Sequence, residues 1–173
     1  VAFFGNGEKF GVDITYIQED EPLGTAGVLF NLKVEKNPFI LMNGDILTDI
    51  NYLDLFNFHK NRKSLLTLAV FQRSIETEFG VLDIKDDLLL AYEEKPIIRH
   101  YVSSGIYVIN PYVLKFLPRH KIKYDMPQFI NNLLSLKVPL SCFKFSGIWL
   151  DIGRKEDYEH ANQKLIDFKN IIV

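Results

Sequence analysis

Two nearly unbroken apolar runs constrain this chain most: Phe39-Ile40-Leu41-Met42, continuing to Asn43, and Leu65-Leu66-Thr67-Leu68-Ala69-Val70-Phe71. Runs of that length suit strands, and strands apolar on both sides belong to a sheet with both faces covered. Helical patterns flank them. One helix is expected from Thr25, as N-cap, to about Lys36, and another from Asn51-Tyr52 to about Arg62. Alternating strands and helices predict a parallel α/β sheet.

The middle of the chain changes character. Phe79 to Ile84, a turn at Asp86-Asp87, and Leu88 to Glu94 read as a hairpin, with a further strand at Tyr101–Ile109. Successive strands add antiparallel pairing, so a mixed sheet flanked by helices fits the whole. A short helix is expected at Tyr112–Phe116. Met126, Phe129, Ile130, Leu133 and Leu134 recur at helical spacing. Strands at 140–145 and 148–150 precede Asp151. A last helix is expected from near Arg154, with Tyr158, Ala161, Asn162, Leu165 and Phe168 facing inward. Near the start, Ile14–Gln18 alternates like a strand, and Phe3-Phe4-Gly5 reads as the last turn of a helix stopped by glycine.

With 173 residues and no linker or internal repeat, the chain is expected to be a single domain over 1–173. Its net charge of −2, without a basic run, argues against a nucleic-acid partner. Cys142 is the sole cysteine, which excludes an internal disulfide and a cysteine-based zinc site. No apolar stretch reaches membrane-spanning length and nothing resembles a signal peptide, so a cytoplasmic protein is expected.

Asp45 and Asp151 each close an apolar run and are followed by turn-forming sequence. Carboxylates at strand ends point into the crevice where α/β sheets bind ligands. Two of them suit a divalent metal that is also held by phosphate oxygens. Either one could equally be a loop aspartate bonding to nearby backbone N–H groups. Leu23-Gly24-Thr25-Ala26-Gly27 joins glycines to a helix start, which lets backbone approach a flat ligand, or is only a tight loop. Lys95 precedes Pro96, which is expected to hold it extended. There it is either a point charge for a phosphate or an ordinary surface lysine. Gly80 and Gly105 lie inside strands, where a close neighbour or a bulge would explain them. The four histidines show no ligand spacing.

In order and spacing these pieces resemble the sugar-1-phosphate nucleotidyltransferase family, which includes glucose-1-phosphate thymidylyltransferases and mannose-1-phosphate guanylyltransferases. The resemblance runs through Phe4-Gly5-Asn6-Gly7, Leu23 to Gly27, Asn43-Gly44-Asp45, Phe79-Gly80-Val81, Glu94-Lys95-Pro96, Ser104-Gly105-Ile106-Tyr107 and Trp149-Leu150-Asp151-Ile152-Gly153. It implies a mixed, mostly parallel Rossmann-like sheet. It also implies Mg²⁺ held by Asp45 and Asp151, and a base-packing loop at Leu23, Gly24 and Thr25. Glu94 and Lys95 would grip the sugar phosphate, and Gly44, Gly80, Ser104 and Gly105 would line the substrate pocket. The substrates would be an NTP (GTP or dTTP) and a sugar-1-phosphate, giving NDP-sugar and pyrophosphate.

Two departures accompany the resemblance. The Gly-rich, Arg-containing triphosphate loop of the family is absent, so two βα units, roughly 60 residues at about 30 per unit, are expected to lie outside this sequence. Phe79 stands where relatives commonly carry Tyr. The chain by itself is therefore expected to be inactive, or completed by another chain or a second copy at the open sheet edge. The alternatives are a non-catalytic sugar-nucleotide-binding or regulatory module and, on weaker grounds, a metal-dependent glycosyltransferase, which would usually carry Asp-x-Asp at Asn43-Gly44-Asp45. Tyr124-Asp125-Met126-Pro127, with Ile152-Gly153-Arg154, leans toward the guanylyltransferases.

Overall fold

A computed structural model describes residues 3–32, 36–120, 123–153 and 161. They group into two compact units, Val1–Glu35 with Val113–Val138, and Lys36–Tyr112 with Pro139–Val173.

The second unit is built on a four-stranded sheet. Its strands are β1 (Phe39–Met42), β3 (Leu66–Glu76), β6 (Ile97–Ile109) and β7 (Leu140–Phe145), in the order β1-β6-β3-β7. β6 runs antiparallel to both neighbours, and β3 and β7 are parallel. Three strands thus share one direction and β6 opposes them, the mixed sheet expected from the sequence. Helix α1 (Tyr52–Arg62) lies against one face: Leu55, Ile50, Ala69, Ile106 and Val108 form a buried cluster, and the Phe58 and Phe143 rings meet at 5.4 Å. Buried His59 pairs its Nδ1 with the Thr67 hydroxyl at 2.9 Å, and burial pushes its pKa down.

Asn51 starts α1 by accepting from the N–H groups of Leu53 and Asp54. Loss of such a cap costs about 1 kcal/mol. Asn51→Ala is expected to lower the melting temperature by about 2–4 °C in a chain of this size, checked by thermal unfolding.

Two smaller pairings complete the unit. β2 (Ile46–Thr48) pairs antiparallel with β8 (Trp149–Asp151). β4 (Val81–Lys85) and β5 (Leu88–Glu93) form the expected hairpin. Asp86 and Asp87 turn it at φ 49° and 63°, the double positive φ of a tight hairpin turn. Every residue of β4 and β5 is exposed.

The first unit holds helix α2 (Met126–Ser135), which buries Met126, Phe129 and Leu133 but leaves Leu134 exposed. The expected short helix is a 3₁₀ stretch at Pro111–Phe116. Elsewhere the expectations need correction. Ile14–Gln18 forms no strand. It is mostly exposed and has no neighbour in a ladder; the Ile14 N–H donates instead to the Asn6 carbonyl. Of the helix expected from Thr25 to about Lys36, the described residues form a 3₁₀ turn at Gly27–Phe30 with Ala26 at its N-cap, and the Thr25 hydroxyl instead accepts the Met126 N–H; positions 33–35 lie outside the described residues. β1 is half-buried rather than buried, with Met42 exposed. It is an edge strand, with β6 as its one neighbour among the described residues. Of the last helix only Ala161 is described, and it is helical and buried. The rest of that expectation, and Val1-Ala2, lie outside the described residues. No described helix is long and apolar enough to cross a membrane.

Candidate functional site

Asp45 and Asp151 come together through strand register. Asp45 sits in the turn after β1, next to Ile46, and Ile46 pairs with Asp151 across β2 and β8. The pair is fastened beyond both ends of the ladder: Ile152 N–H donates to the Asp45 carbonyl at 2.8 Å, and Ile148 N–H donates to the Asp49 carboxylate at 2.8 Å. Gly153 marks where the two acids meet. A Cβ there would lie 2.9 Å from Asp45 Oδ2 and 3.1 Å from Asp151 Oδ1. The two oxygens are therefore no farther apart than the sum of those distances, within the span of one hydrated cation.

Both carboxylates are exposed. Asp151 Oδ1 also accepts the Gly153 N–H at 3.1 Å, the local loop bond anticipated for such an aspartate. Among the described residues no third acidic, histidine or cysteine ligand joins them. Two carboxylate oxygens with open positions fit Mg²⁺, which prefers one or two carboxylates plus water and substrate phosphate oxygens.

Gly105 stands beside this pair. It lies at a bulge of β6 opposite Ala69, with φ +75°, and its N-terminal neighbour Ser104 is buried. A Cβ at Gly105 would meet Ile46 Cδ1 at 2.7 Å and Asn43 Nδ2 at 2.9 Å, so glycine is required for the turn after β1 to come close. Asn43 N–H donates to the Gly105 carbonyl at 3.0 Å. Gly44, in the same turn, has open space on its Cβ side. The Ser104 hydroxyl is not free for a ligand: it donates to the Ala69 carbonyl at 2.8 Å, while the Ser104 carbonyl accepts from Trp149 Nε1 at 2.9 Å. Ser104 thus ties β3 and β8 to β6.

Gly80, Glu94 and Lys95 gather at the far end of the β3–β6 ladder. Thr77 N–H and Oγ1 both donate to the Pro96 carbonyl, at 3.3 and 3.1 Å, joining the loops on either side of the hairpin. Glu94 accepts a hydrogen bond from the Tyr92 hydroxyl, and that bond raises the tyrosine's pKa. The Tyr92 ring occupies the space over Gly80, where a Cβ would meet its hydroxyl at 2.5 Å. Lys95 is not extended as expected. Its φ is 45°, because three residues must turn the chain from β5 into β6. It opens onto a cleft of about 640 Å³ lined by Glu76, Thr77, Glu78 and Ile97, and by neither aspartate. Extended chain from Ile97 to Ser103 separates this group from Ser104 by about 20 Å along the ladder, at ~3.3 Å per residue.

Leu23, Gly24 and Thr25 belong to the first unit and are bound to the start of α2. Tyr124 N–H donates to the Leu23 carbonyl at 2.7 Å, and Thr25 N–H donates to Asp125 Oδ1 at 2.9 Å. Asn43, Tyr92, Asp125 and Gly153 escaped the sequence reading as site residues. Tyr92 had a signal, its i, i+2 position before Glu94 on the same strand face. Asp125 had the Asp-x-x-Gln pattern of a capping box.

Residues 2–167 match the sequence model of the nucleotidyl transferase family, and the chain belongs to that family. It is 29% identical over 160 residues to a mannose-1-phosphate guanyltransferase of Candida albicans, covering 87% of this chain and 44% of that protein. It is also 29% identical over 158 residues to the mannose-1-phosphate guanylyltransferase catalytic subunit beta of Dictyostelium discoideum, again over 87% of this chain and 44% of that one. The chain thus spans less than half the length of these curated relatives. Among solved structures, a Bacillus anthracis protein assigned as a glucose-1-phosphate thymidylyltransferase and solved with sucrose superposes with TM-score 0.69 at 25% identity, covering 94% of this chain and 69% of that one. HddC from Yersinia pseudotuberculosis, complexed with GMP-PN, superposes with TM-score 0.65 at 25% identity, covering 88% and 67%.

Proposed function

We propose that the protein to which this chain belongs transfers a nucleotidyl group from an NTP to a sugar-1-phosphate, giving an NDP-sugar and pyrophosphate. The observation that carries this reading is the convergence of Asp45 and Asp151 at Gly153, in a chain of the nucleotidyl transferase family. A sugar-phosphate oxygen attacks the α-phosphorus in line, forming the new P–O bond. The bond from the α-phosphorus to the oxygen bridging it to the β-phosphate breaks, and that oxygen leaves with pyrophosphate. Such a transfer depends on positioning and charge neutralisation rather than on a covalent protein intermediate.

In this reading Asp45 and Asp151 hold Mg²⁺, which when bound neutralises phosphate charge. Lys95 provides a cation for the sugar phosphate and Glu94 accepts from a sugar hydroxyl. Gly80 lets the Tyr92 ring pack beside the Glu94-Lys95 segment, and Gly105 lets the turn that carries Gly44 and Asp45 come close. Leu23, Gly24 and Thr25 present a backbone surface to the base. The names of the relatives favour GTP with mannose-1-phosphate as the first pair to test, and dTTP with glucose-1-phosphate as the second. Residues 1–173 are read as part of one catalytic domain that works in the cytoplasm.

The test is a pyrophosphate-release screen of the full-length protein over NTPs and sugar-1-phosphates. Turnover with one pair supports the reading; nucleotide-sugar binding without any turnover would favour the binding-module alternative. Lys95→Ala is expected to raise KM for the sugar-1-phosphate about tenfold, the loss of one charge-assisted contact, with a much smaller change in KM for the NTP. Equal rises in both would remove Lys95 from the sugar-phosphate position.

A further inference from the structure

The Leu23–Thr25 loop and the first turn of α2 are about a hundred residues apart in sequence, yet each supplies the other's missing hydrogen-bond partners. Thr25 N–H donates to Asp125 Oδ1 at 2.9 Å, and the Thr25 hydroxyl accepts the Met126 N–H at 2.9 Å. The same hydroxyl lies 3.4 Å from Asp125 Oδ1, so it is engaged on both sides. Ala26 N–H donates to the Tyr124 carbonyl at 3.0 Å, and Tyr124 N–H donates to the Leu23 carbonyl at 2.7 Å. Gly24, at φ +84°, sits so close that a Cβ would lie 2.5 Å from Asp125 Oδ1 and 2.8 Å from the Tyr124 carbonyl oxygen.

We infer that Asp125 is a positioning residue for the nucleotide, setting the backbone shape of the Leu23–Gly24–Thr25 loop against which the base packs. The inference rests on reading that loop as the base-binding surface. Helix capping alone does not account for the arrangement. The Asp125 N–H is received by Gln128 Oε1 at 2.8 Å, a bond within the helix start itself. The Met126 N–H, a free donor at any helix start, goes instead to the loop's Thr25. Asp125 is half-buried, and its carboxylate is what the glycine at 24 accommodates. Thr25 therefore contributes through the backbone it holds, because both sides of its hydroxyl are occupied.

The experiment is steady-state kinetics on the full-length protein, with the best NTP and sugar-1-phosphate pair from the screen. Asp125→Ala is expected to raise KM for the NTP about tenfold, the size of one lost charged hydrogen bond. KM for the sugar-1-phosphate and kcat are expected to stay within about twofold. Asp125→Asn keeps the Oδ1 acceptor and is expected to stay within about threefold of the parent in all constants. Gly24→Ala is expected to raise KM for the NTP as well, and the double variant Gly24→Ala/Asp125→Ala to fall short of the product of the two single effects, because both act on one loop.

An unchanged KM for the NTP in a folded Asp125→Ala protein overturns the inference, as do equal rises for both substrates or a fully multiplicative double variant. If Asp125→Ala does not fold, Asp125→Ser, which keeps a capping hydroxyl for α2 but withdraws the carboxylate from the Thr25 N–H, carries the same test with the same expected rise. If Gly24→Ala itself leaves the NTP constant unchanged, the base-loop reading falls. If Gly24→Ala acts and Asp125→Ala does not, only the role of Asp125 falls.

Discussion

Asp45→Asn and Asp151→Asn, each made in the full-length protein, are expected to lower turnover about a hundredfold or more, the scale of losing a preorganised charge at a reacting phosphate. Asparagine keeps the size and one oxygen of the side chain but removes the negative charge. The fold has little reason to respond. Both side chains are exposed, the β2–β8 pairing is made by backbone, and the Gly153 N–H can still donate to the oxygen at position 151. A normal melting temperature with collapsed turnover separates chemistry from stability. Mn²⁺ binding, followed by paramagnetic resonance, gives a readout independent of activity and should weaken in both variants. Either variant keeping near-parent turnover in Mg²⁺ would remove that aspartate from the metal. The double variant should be little worse than the worse single, because the two act as one site.

What the sequence made legible was whatever depends on local pattern. The apolar runs gave β3 and the position of β1. Asp86-Asp87 gave the hairpin turn, because short acidic residues tolerate positive φ. The helical spacing of Met126, Phe129 and Leu133 gave the buried stripe of α2. What stayed hidden depends on partners distant in sequence. Ile14–Gln18 alternates like a strand, but a strand exists only where another offers its edge. Thr25 looks like the cap of the helix after it, yet its hydroxyl reaches Met126. Proline at 96 favours an extended Lys95, and the turn into β6 overrides it, at a cost on the order of 1–3 kcal/mol for a left-handed non-glycine residue. The two aspartates were visible one by one. That they share one point needed the register of β2 on β8, which no local pattern records.

Residues 1–173 expressed alone are expected to associate or aggregate and to release no pyrophosphate with any NTP and sugar-1-phosphate pair. The reason lies in β1. Its residues are Phe, Ile, Leu and Met, three of them half-buried, and among the described residues it pairs only with β6. Natural edge strands are protected by charge, proline, bulges or a covering element, and β1 has no charged residue, proline or bulge within it. Each buried backbone group left without a partner costs about 1–3 kcal/mol, against a total of about 5–15 kcal/mol for a domain, so a few of them decide whether the unit stands alone. The outer edge of β1 is next to the turn bearing Asp45, so a strand added there would also steady one of the two carboxylates that converge at Gly153. More of the same protein, or a second copy, can supply it. Sedimentation, thermal melting and a pyrophosphate assay on residues 1–173, run beside the full-length protein, test this together. A monodisperse full-length protein beside an associating, inactive 173-residue chain supports the edge argument. A stable monomer of 173 residues that turns over substrate would show that β1 needs no further partner and that the triphosphate is held by residues within this chain.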